Sequence, residues 1–377
     1  MRISIITGPF LPVPPAPCGA VERIWHELAG EFATRGHQVT VLCRGHEDQP
    51  PNETIHAIRF IRRTRFKRSR RLWWDLVRDL LYSFRMLPLV PPSDIVVTNS
   101  FWLPILLPLL RRRVGKIVVN VARMPKGQIG WYRRVDRLAA VSNAVRQEIT
   151  LQCPDAAPLT KVIPNPIDTD IFAPSDRAFR SRRPHVILYA GRVHPEKGID
   201  LLVQGFRRLH DLRQDVVLHI LGPAAVEQGG GGRQYMARLE LLADGLPVQF
   251  LPPTFDKTEL AEIYRTASLF CYPSLAERGE SFGLAPLEAM ATGLVPVVSD
   301  LSCFQDFVQD GRTGLVFDHR GPDAPDHLAA AFRRLLDDPE AYARMSAAGV
   351  RLAQDFSKER IAAFYLKDFE ELLSNHS

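Results

Sequence analysis

The chain has 377 residues, 46% of them hydrophobic and 24% charged, and a formal net charge of +6. That composition excludes a disordered chain and suits about two domains, each long enough for its own core, while the positive balance favours acidic partners: a nucleotide, an anionic lipid or nucleic acid. Cys18, Cys43, Cys153, Cys271 and Cys303 are odd in number, widely spaced and without a Cys-x-x-Cys pair, so neither a disulfide framework nor a zinc site is expected and a reducing cytoplasm is. The opening MRISIITGPFLPVPP holds an apolar run too short for a signal peptide or for the roughly 20 residues of a spanning helix. Residues 2–7 read as a buried strand. Ile24, Trp25, Leu28 and Phe32 mark one face of a helix that ends at Arg35-Gly36-His37, and Val39 to Leu42 is the next strand, completing a βαβ unit. A nicotinamide-binding fold would place Gly-x-Gly-x-x-Gly straight after the first strand. Pro9 and Phe10 stand there, which argues against a dehydrogenase.

Arg59 and Arg71 bound thirteen residues of which eight are Lys or Arg. The run feeds Trp73, Leu76, Val77, Leu80, Phe84 and Leu87, spaced as one face of a helix. Two readings of the stretch from Arg59 to Leu87 stay open. One is an anionic membrane surface, where each basic side chain contributes on the order of 1 kcal/mol and Trp suits the interface. The other is a core helix preceded by a solvated arginine loop. Asp94 to Val97 and Lys116 to Val121 read as strands, and FWLPILLPLLRRR between them, broken by Pro104 and Pro108, is too short to span a bilayer. Asn120, Arg123 and Lys126 are the polar residues at the end of the second of these strands. Ser142 is placed to cap a helix. Asp168-Thr169-Asp170 has the form of a metal-binding Asp-x-Asp, but its setting suggests linker and cap chemistry, and no metal is expected.

In HVILYAGRVHPEKGIDLLVQGFRRL a strand ends at Gly191, a polar loop carries Arg192 and Lys197, and Gly198 precedes an amphipathic helix with Ile199, Leu202, Phe206 and Leu209. Cations in a glycine-bounded loop after a strand are placed for a diphosphate, which Arg can hold bidentately. The four glycines 229–232 lack the Lys-Ser/Thr of a Walker motif and read as a flexible surface loop. Between Cys271 and Phe317 the pattern is strand, loop, helix, strand. Glu280 falls in the loop and Glu288 about one turn inside the helix, so both carboxylates can face one cleft. The amides of Phe282, Gly283 and Leu284 point out of the helix N-terminus, which carries roughly half a positive charge and suits a phosphate. Gly283 lets the backbone approach a ligand, and Gly293 reads as the C-terminal cap.

The strings ESFGLAPLEAMATGLVPVVS and DGRTGLVF resemble the Glu-x7-Glu signature of the retaining nucleotide-sugar glycosyltransferases of family 4, also called group 1, which have the GT-B fold. Gly191-Arg192 with Lys197-Gly198 resembles the same family's Gly-Arg-x4-Lys-Gly. The resemblance implies an α/β fold of two Rossmann-like parallel-sheet domains facing across a cleft. They would comprise residues 1–168 on the acceptor side and 169–355 on the nucleotide-sugar side, with 356–377 a helix crossing back to the first domain. It implies transfer of a hexosyl group from a nucleoside diphosphate sugar, UDP- before GDP-, with retention, to a saccharide or lipid-linked acceptor in envelope or exopolysaccharide synthesis. Arg192 and Lys197 would neutralise the leaving diphosphate in place of a metal, with no cofactor required. Glu280 would hold the donor sugar and Glu288 the ribose; Ser281 and the amides of Phe282, Gly283 and Leu284 would join them, with Pro252 in the loop that holds the base. Gly19 and Glu22 match part of a Gly-Gly-x-x-Glu loop, Cys18 standing for the first glycine. The family's His near the end of the later strand is absent, which leaves Asn120, Arg123 and Lys126 for the acceptor. The expected location is the cytoplasm, at or near the inner face of its membrane, with no nucleic-acid partner. Rival readings are a sugar-nucleotide epimerase of the same architecture and a non-catalytic basic protein binding membrane or nucleic acid.

Overall fold

The computed structural model describes residues 1–14, 19–46, 49–63, 66, 69, 71–175 and 184–374. They fall into two compact units, Met1–Pro166 with Lys358–Ser377, and Ile167–Ser357. The cuts lie two residues before 168 and two after 355, and the last helix belongs to the first unit.

The first unit contains β1 (Arg2–Ile6), α1 (Ala20–Thr34), β2 (Gln38–Arg44), β3 (Asn52–Ile55), β4 (Ile58–Arg63), α2 (Leu72–Met86), β5 (Ser93–Thr98), α3 (Leu103–Leu106), β6 (Val114–Val121), β7 (Arg137–Ala140), α4 (Asn143–Gln152) and β8 (Thr160–Val162). The sheet order is β3-β4-β2-β1-β5-β6-β7-β8, parallel except where β3 runs against β4. Ile3, Ile5, Val41, Ile95, Val97, Ile117 and Val118 are all buried. Such β-branched runs are what a sheet covered on both faces demands. The C-terminal helix (Lys358–Ser374) packs on α1 with Tyr365 5.2 Å from Trp25 and Phe369 5.9 Å from Phe32, ring centroid to centroid. Its wholly buried Asp368 pairs with Arg137 and Lys161, each at 2.9 Å.

Two sequence expectations change in this unit. Arg59, Arg62 and Arg63 belong to strand β4, not to a solvated loop. Ile58, Phe60 and Ile61 carry that strand into the core. Arg62 is itself buried, its guanidinium 4.6 Å from the Phe60 ring centroid and paired with Glu53. Residues 64, 65, 67, 68 and 70 of the basic run lie outside the described residues. The second change concerns α2. Its apolar face exists, but it points outward. Trp73, Trp74, Val77, Leu81 and Phe84 are exposed, while Asp75, Asp79, Tyr82, Ser83 and Met86 are buried. A core-facing apolar stripe is thereby excluded. Asp79 explains the seating: its carboxylate accepts hydrogen bonds from Ser100 Oγ at 2.9 Å and from the amides of Phe101 and Trp102 at 3.0 and 3.1 Å. The polar side of α2 thus satisfies the loop after β5, where unpaired buried amides would be costly.

The second unit contains β9 (His185–Ala190), α5 (Ile199–Leu212), β10 (Val216–Leu221), α6 (Gly232–Leu242), β11 (Val248–Leu251), α7 (Lys257–Thr266), β12 (Leu269–Tyr272), α8 (Leu284–Ala291), β13 (Pro296–Ser299), β14 (Leu315–Phe317), α9 (Ala324–Asp337) and α10 (Pro339–Ala353). Its parallel sheet has the order β11-β10-β9-β12-β13-β14. Ile199, Leu202, Phe206 and Leu209 of α5 are all buried, the ordinary mounting of an amphipathic helix. The winding reverses between β9 and β12. In an open parallel sheet, the crevice outside the strand ends at such a switch point is where ligands bind.

Candidate functional site

The loops leaving β9 and β12 diverge from that switch point. They and α8 carry Gly191, Arg192, Lys197, Glu280, Ser281, Phe282, Gly283, Leu284 and Glu288, and of the expected donor residues Pro252 lies elsewhere. The loops are laced together: the Leu275 amide donates to Glu196 O at 2.8 Å. Gly198 sits at φ +67, and a Cβ there would stand 2.0 Å from Pro273 O, so no larger residue fits the crossing. Gly283 has φ +89 and a would-be Cβ 2.5 Å from the Phe304 ring. It is the N-cap residue of α8 and brings no side chain to that helix end. Phe282 is buried against Phe307, 5.5 Å between centroids, and anchors the turn. Ser281 and Leu284 are half-buried beside it.

Between the loops Lys197 Nζ meets Glu280 Oε2 at 2.6 Å, the two side chains only 8% and 10% exposed. The ammonium also lies 5.3 Å from the centroid of Tyr272, which stacks on Tyr189. A pair this far from water is held by geometry, because removing one partner strands the other and costs about 3–5 kcal/mol. Arg192 is held differently. It is part-exposed, with one nitrogen on Glu196 Oε1 at 2.7 Å and another on Gly229 O at 2.8 Å.

That second contact corrects the reading of the four glycines as a flexible loop. Gly231 and Gly232 donate their amides to Val193 O and Ala224 O at 2.8 Å, and a Cβ on Gly230 would stand 2.2 Å from the Ala224 backbone. The run is a fitted wall of the site, glycine-rich because the backbone passes too close for side chains.

Glu280 and Glu288 each have a partner of their own. Glu288 Oε2 accepts from Tyr264 OH at 3.3 Å. Burial and then the Glu288 charge push the Tyr264 phenol well above its ordinary value, so it remains a donor. Pro252 is exposed after β11, at the edge of the sheet, two strands from β9.

Sequence reasoning missed several supporting residues. Tyr264 lies within helix α7 and Tyr272 at the end of strand β12, and in the sequence only the end of the apolar run at Pro273 marks Tyr272. Glu277, in the loop after β12, is held by His319 Nε2 at 3.1 Å and Arg320 Nε at 3.0 Å. No local signal could have joined residues so far apart in the chain.

In the first unit, Glu22 lies in the first turn of α1 after Gly19. Burial pushes its carboxyl up, offset by a hydrogen bond to its own backbone and by the Arg123 charge. Asn120 departs from the acceptor expectation. It is only 6% exposed, and its amide is occupied by Trp25 Nε1 at 3.2 Å and Tyr365 OH at 3.4 Å, so it holds α1 and the C-terminal helix to the sheet. Lys126 is exposed in the loop after β6. Cys18 lies outside the described residues. Asp168 pairs with Lys257 at 3.6 Å. Among the described residues no three His, Cys, Asp or Glu side chains gather as a metal would require, and no helix is long and apolar enough to cross a membrane.

Residues 175–351 match the family Glycosyl transferases group 1, and residues 21–171 match Glycosyltransferase Family 4. A D-inositol 3-phosphate glycosyltransferase of Geodermatophilus obscurus is 35% identical over 231 residues, covering 56% of this chain and 48% of that protein. The chain spans about half the length of these curated relatives, the D-inositol 3-phosphate glycosyltransferases. Among solved structures, sucrose-phosphate synthase from Thermosynechococcus elongatus superposes with a TM-score of 0.82 at 20% identity over 100% of both chains. Anabaena HepE in complex with UDP-glucose does so with a TM-score of 0.73 at 16% identity, again over 100% of both. At such identities the likeness is one of fold, the two-domain GT-B architecture.

Proposed function

Because the chain belongs to the group 1, family 4 glycosyltransferases, we propose that it moves a hexosyl group, with retention, from a nucleoside diphosphate sugar to a saccharide or lipid-linked acceptor of envelope or exopolysaccharide synthesis. UDP is the first choice of nucleotide and GDP the second. The observation that carries this reading is the buried Lys197–Glu280 pair at the switch point, at 2.6 Å. A cation fixed there before substrate arrives can stabilise charge developing on a departing diphosphate without reorganising during the reaction. HepE, solved with UDP-glucose, supports a nucleotide-sugar donor on this fold.

In the proposed reaction Lys197 and Arg192 face the diphosphate together with the amides of Phe282, Gly283 and Leu284, whose helix end favours an anion. These charges serve where a metal would otherwise be needed. Glu280 holds the donor sugar hydroxyls while still orienting Lys197. Glu288, aligned by Tyr264 OH, accepts from the ribose hydroxyls, and the loop at Pro252 takes the base. Gly19, Glu22 and Arg123 serve the acceptor side. The proposed location is the cytoplasm, which suits five widely spaced cysteines without a Cys-x-x-Cys pair.

Thermal shift with UDP-, GDP-, ADP- and dTDP-sugars tests this assignment. One nucleotide should stabilise the protein, and both Glu288→Ala and the double variant Lys197→Met/Glu280→Gln should remove the shift. The double variant avoids stranding a buried charge. No shift with any donor would overturn the site in favour of a non-catalytic binding protein. Conversion of the donor sugar in the absence of acceptor would identify an epimerase.

A further inference from the structure

We propose that the first unit docks on an anionic lipid bilayer through the outward face of α2 and an aromatic step beside it. This inference is independent of the donor site. The face consists of Leu72, Trp73, Trp74, Val77, Leu81 and Phe84, with Trp73 50% and Phe84 55% exposed. Trp73 and Trp74 stack on each other at 3.8 Å. The patch continues sideways, because Trp102 Nε1 donates to Leu76 O at 2.9 Å and the Trp102 ring stacks on Trp131, 6.3 Å between centroids. Trp131 is 58% exposed. Four of the chain's five tryptophans therefore belong to this one surface, and only Trp25 is in the core.

The chemistry around the patch selects the occupant. Arg78 and Arg85 border the apolar sector on α2, and Arg133 and Arg134 follow Trp131. Directly ahead of the helix the sequence carries Arg65, Lys67, Arg68, Arg70 and Arg71. A second copy of the chain placed symmetrically on this face would set the exposed Arg71, Arg85, Arg133 and Arg134 against their own images, which repel. An anionic bilayer offers both required halves: negative headgroups for the arginines and an acyl boundary for the rings. Tryptophan is favoured at that depth because its ring is apolar and its N–H can reach the headgroups. The 15 residues of α2 carry Asp75 and Asp79 on the inner side, so the helix lies along the interface and does not cross it. The inverted mounting of α2 acquires a purpose: Asp79 holds the polar side to the protein so that the apolar side can meet lipid.

Co-sedimentation of the full chain with vesicles tests the proposal, using phosphatidylglycerol and phosphatidylcholine in equal parts against phosphatidylcholine alone. The protein should pellet with the anionic vesicles, much less with the neutral ones, and less again at high salt. Trp73→Ala/Trp74→Ala/Phe84→Ala should lower the bound fraction about tenfold or more, and Trp131→Ala about threefold. Both variants should keep the thermal shift given by the nucleotide sugar, which separates loss of docking from loss of fold or of the donor site. No lipid-dependent pelleting would overturn the proposal, and so would undiminished pelleting of the triple variant. A wild-type dimer that the triple variant turns into a monomer would overturn it as well, assigning the face to a second copy.

Discussion

Helices α5 and α2 are nearly equal in length, 14 and 15 residues, and both are strongly amphipathic, yet they are mounted in opposite senses. Helix α5 buries Phe206 and Leu209 and turns its charges to water. Helix α2 buries Asp75, Asp79 and Ser83 and turns Trp73, Leu81 and Phe84 out. The difference teaches that a hydrophobic stripe specifies a face, not its destination. Burial of an apolar stripe contributes roughly 25 cal/mol per Å². That gain is forgone on α2 because Asp79 supplies the acceptors for Ser100 Oγ and two loop amides.

The contrast is most sharply broken or upheld by truncation on the buried side of α5. Phe206→Ala should cost about 3–5 kcal/mol by the transfer and cavity terms of a well-packed core, read as a shift of the urea midpoint of the second unit. Asp79→Ala comes next. It leaves a hydroxyl and two amides without their acceptor and should cost about 2–3 kcal/mol. A neutral result would mean that something other than this carboxylate seats α2.

The pH dependence sharpens the same point. Burial pushes both the Asp79 and the Glu22 carboxyls above their ordinary values. The folded chain therefore holds these protons more tightly than the unfolded one. Their contribution to stability is fully present below the ordinary carboxylate range and is lost as pH rises through the raised native values. Urea midpoints measured across that window should fall with rising pH, and Asp79→Asn with Glu22→Gln should flatten the fall. The smallest effect is expected on the outer side of α2. Phe84→Ala should stay within about 0.5 kcal/mol of the parent, as exposed substitutions do. A loss comparable to that of Phe206→Ala would show that the face is covered within the protein.

The residues of the candidate site were largely legible in the sequence. Arg192, Lys197, Glu280 and Glu288 stand within short motifs whose glycines and apolar flanks declare strand, loop and helix. Local chain geometry then sends them to the strand ends. Their partners were not legible. Glu196 to Leu275, Lys197 to Glu280, Tyr264 to Glu288 and His319 to Glu277 are joined only when parallel strands align their ends. The glycines at 229–232 misled for a related reason, since composition cannot distinguish a glycine that is free to move from one that is crowded on both sides.

By itself the sequence determined the alternation of strands and helices, the two-part division and the motifs of the family, because each depends on periodicity or on residues close in the chain. Only the tertiary structure decided which way α2 faces, that Asn120 belongs to the core, that Arg62 is buried in a strand, and which partners the two glutamates take. Each of those outcomes turns on hydrogen-bond or charge partners contributed by distant segments, and the cost of leaving such groups unpaired inside the protein outweighs what the local pattern prefers.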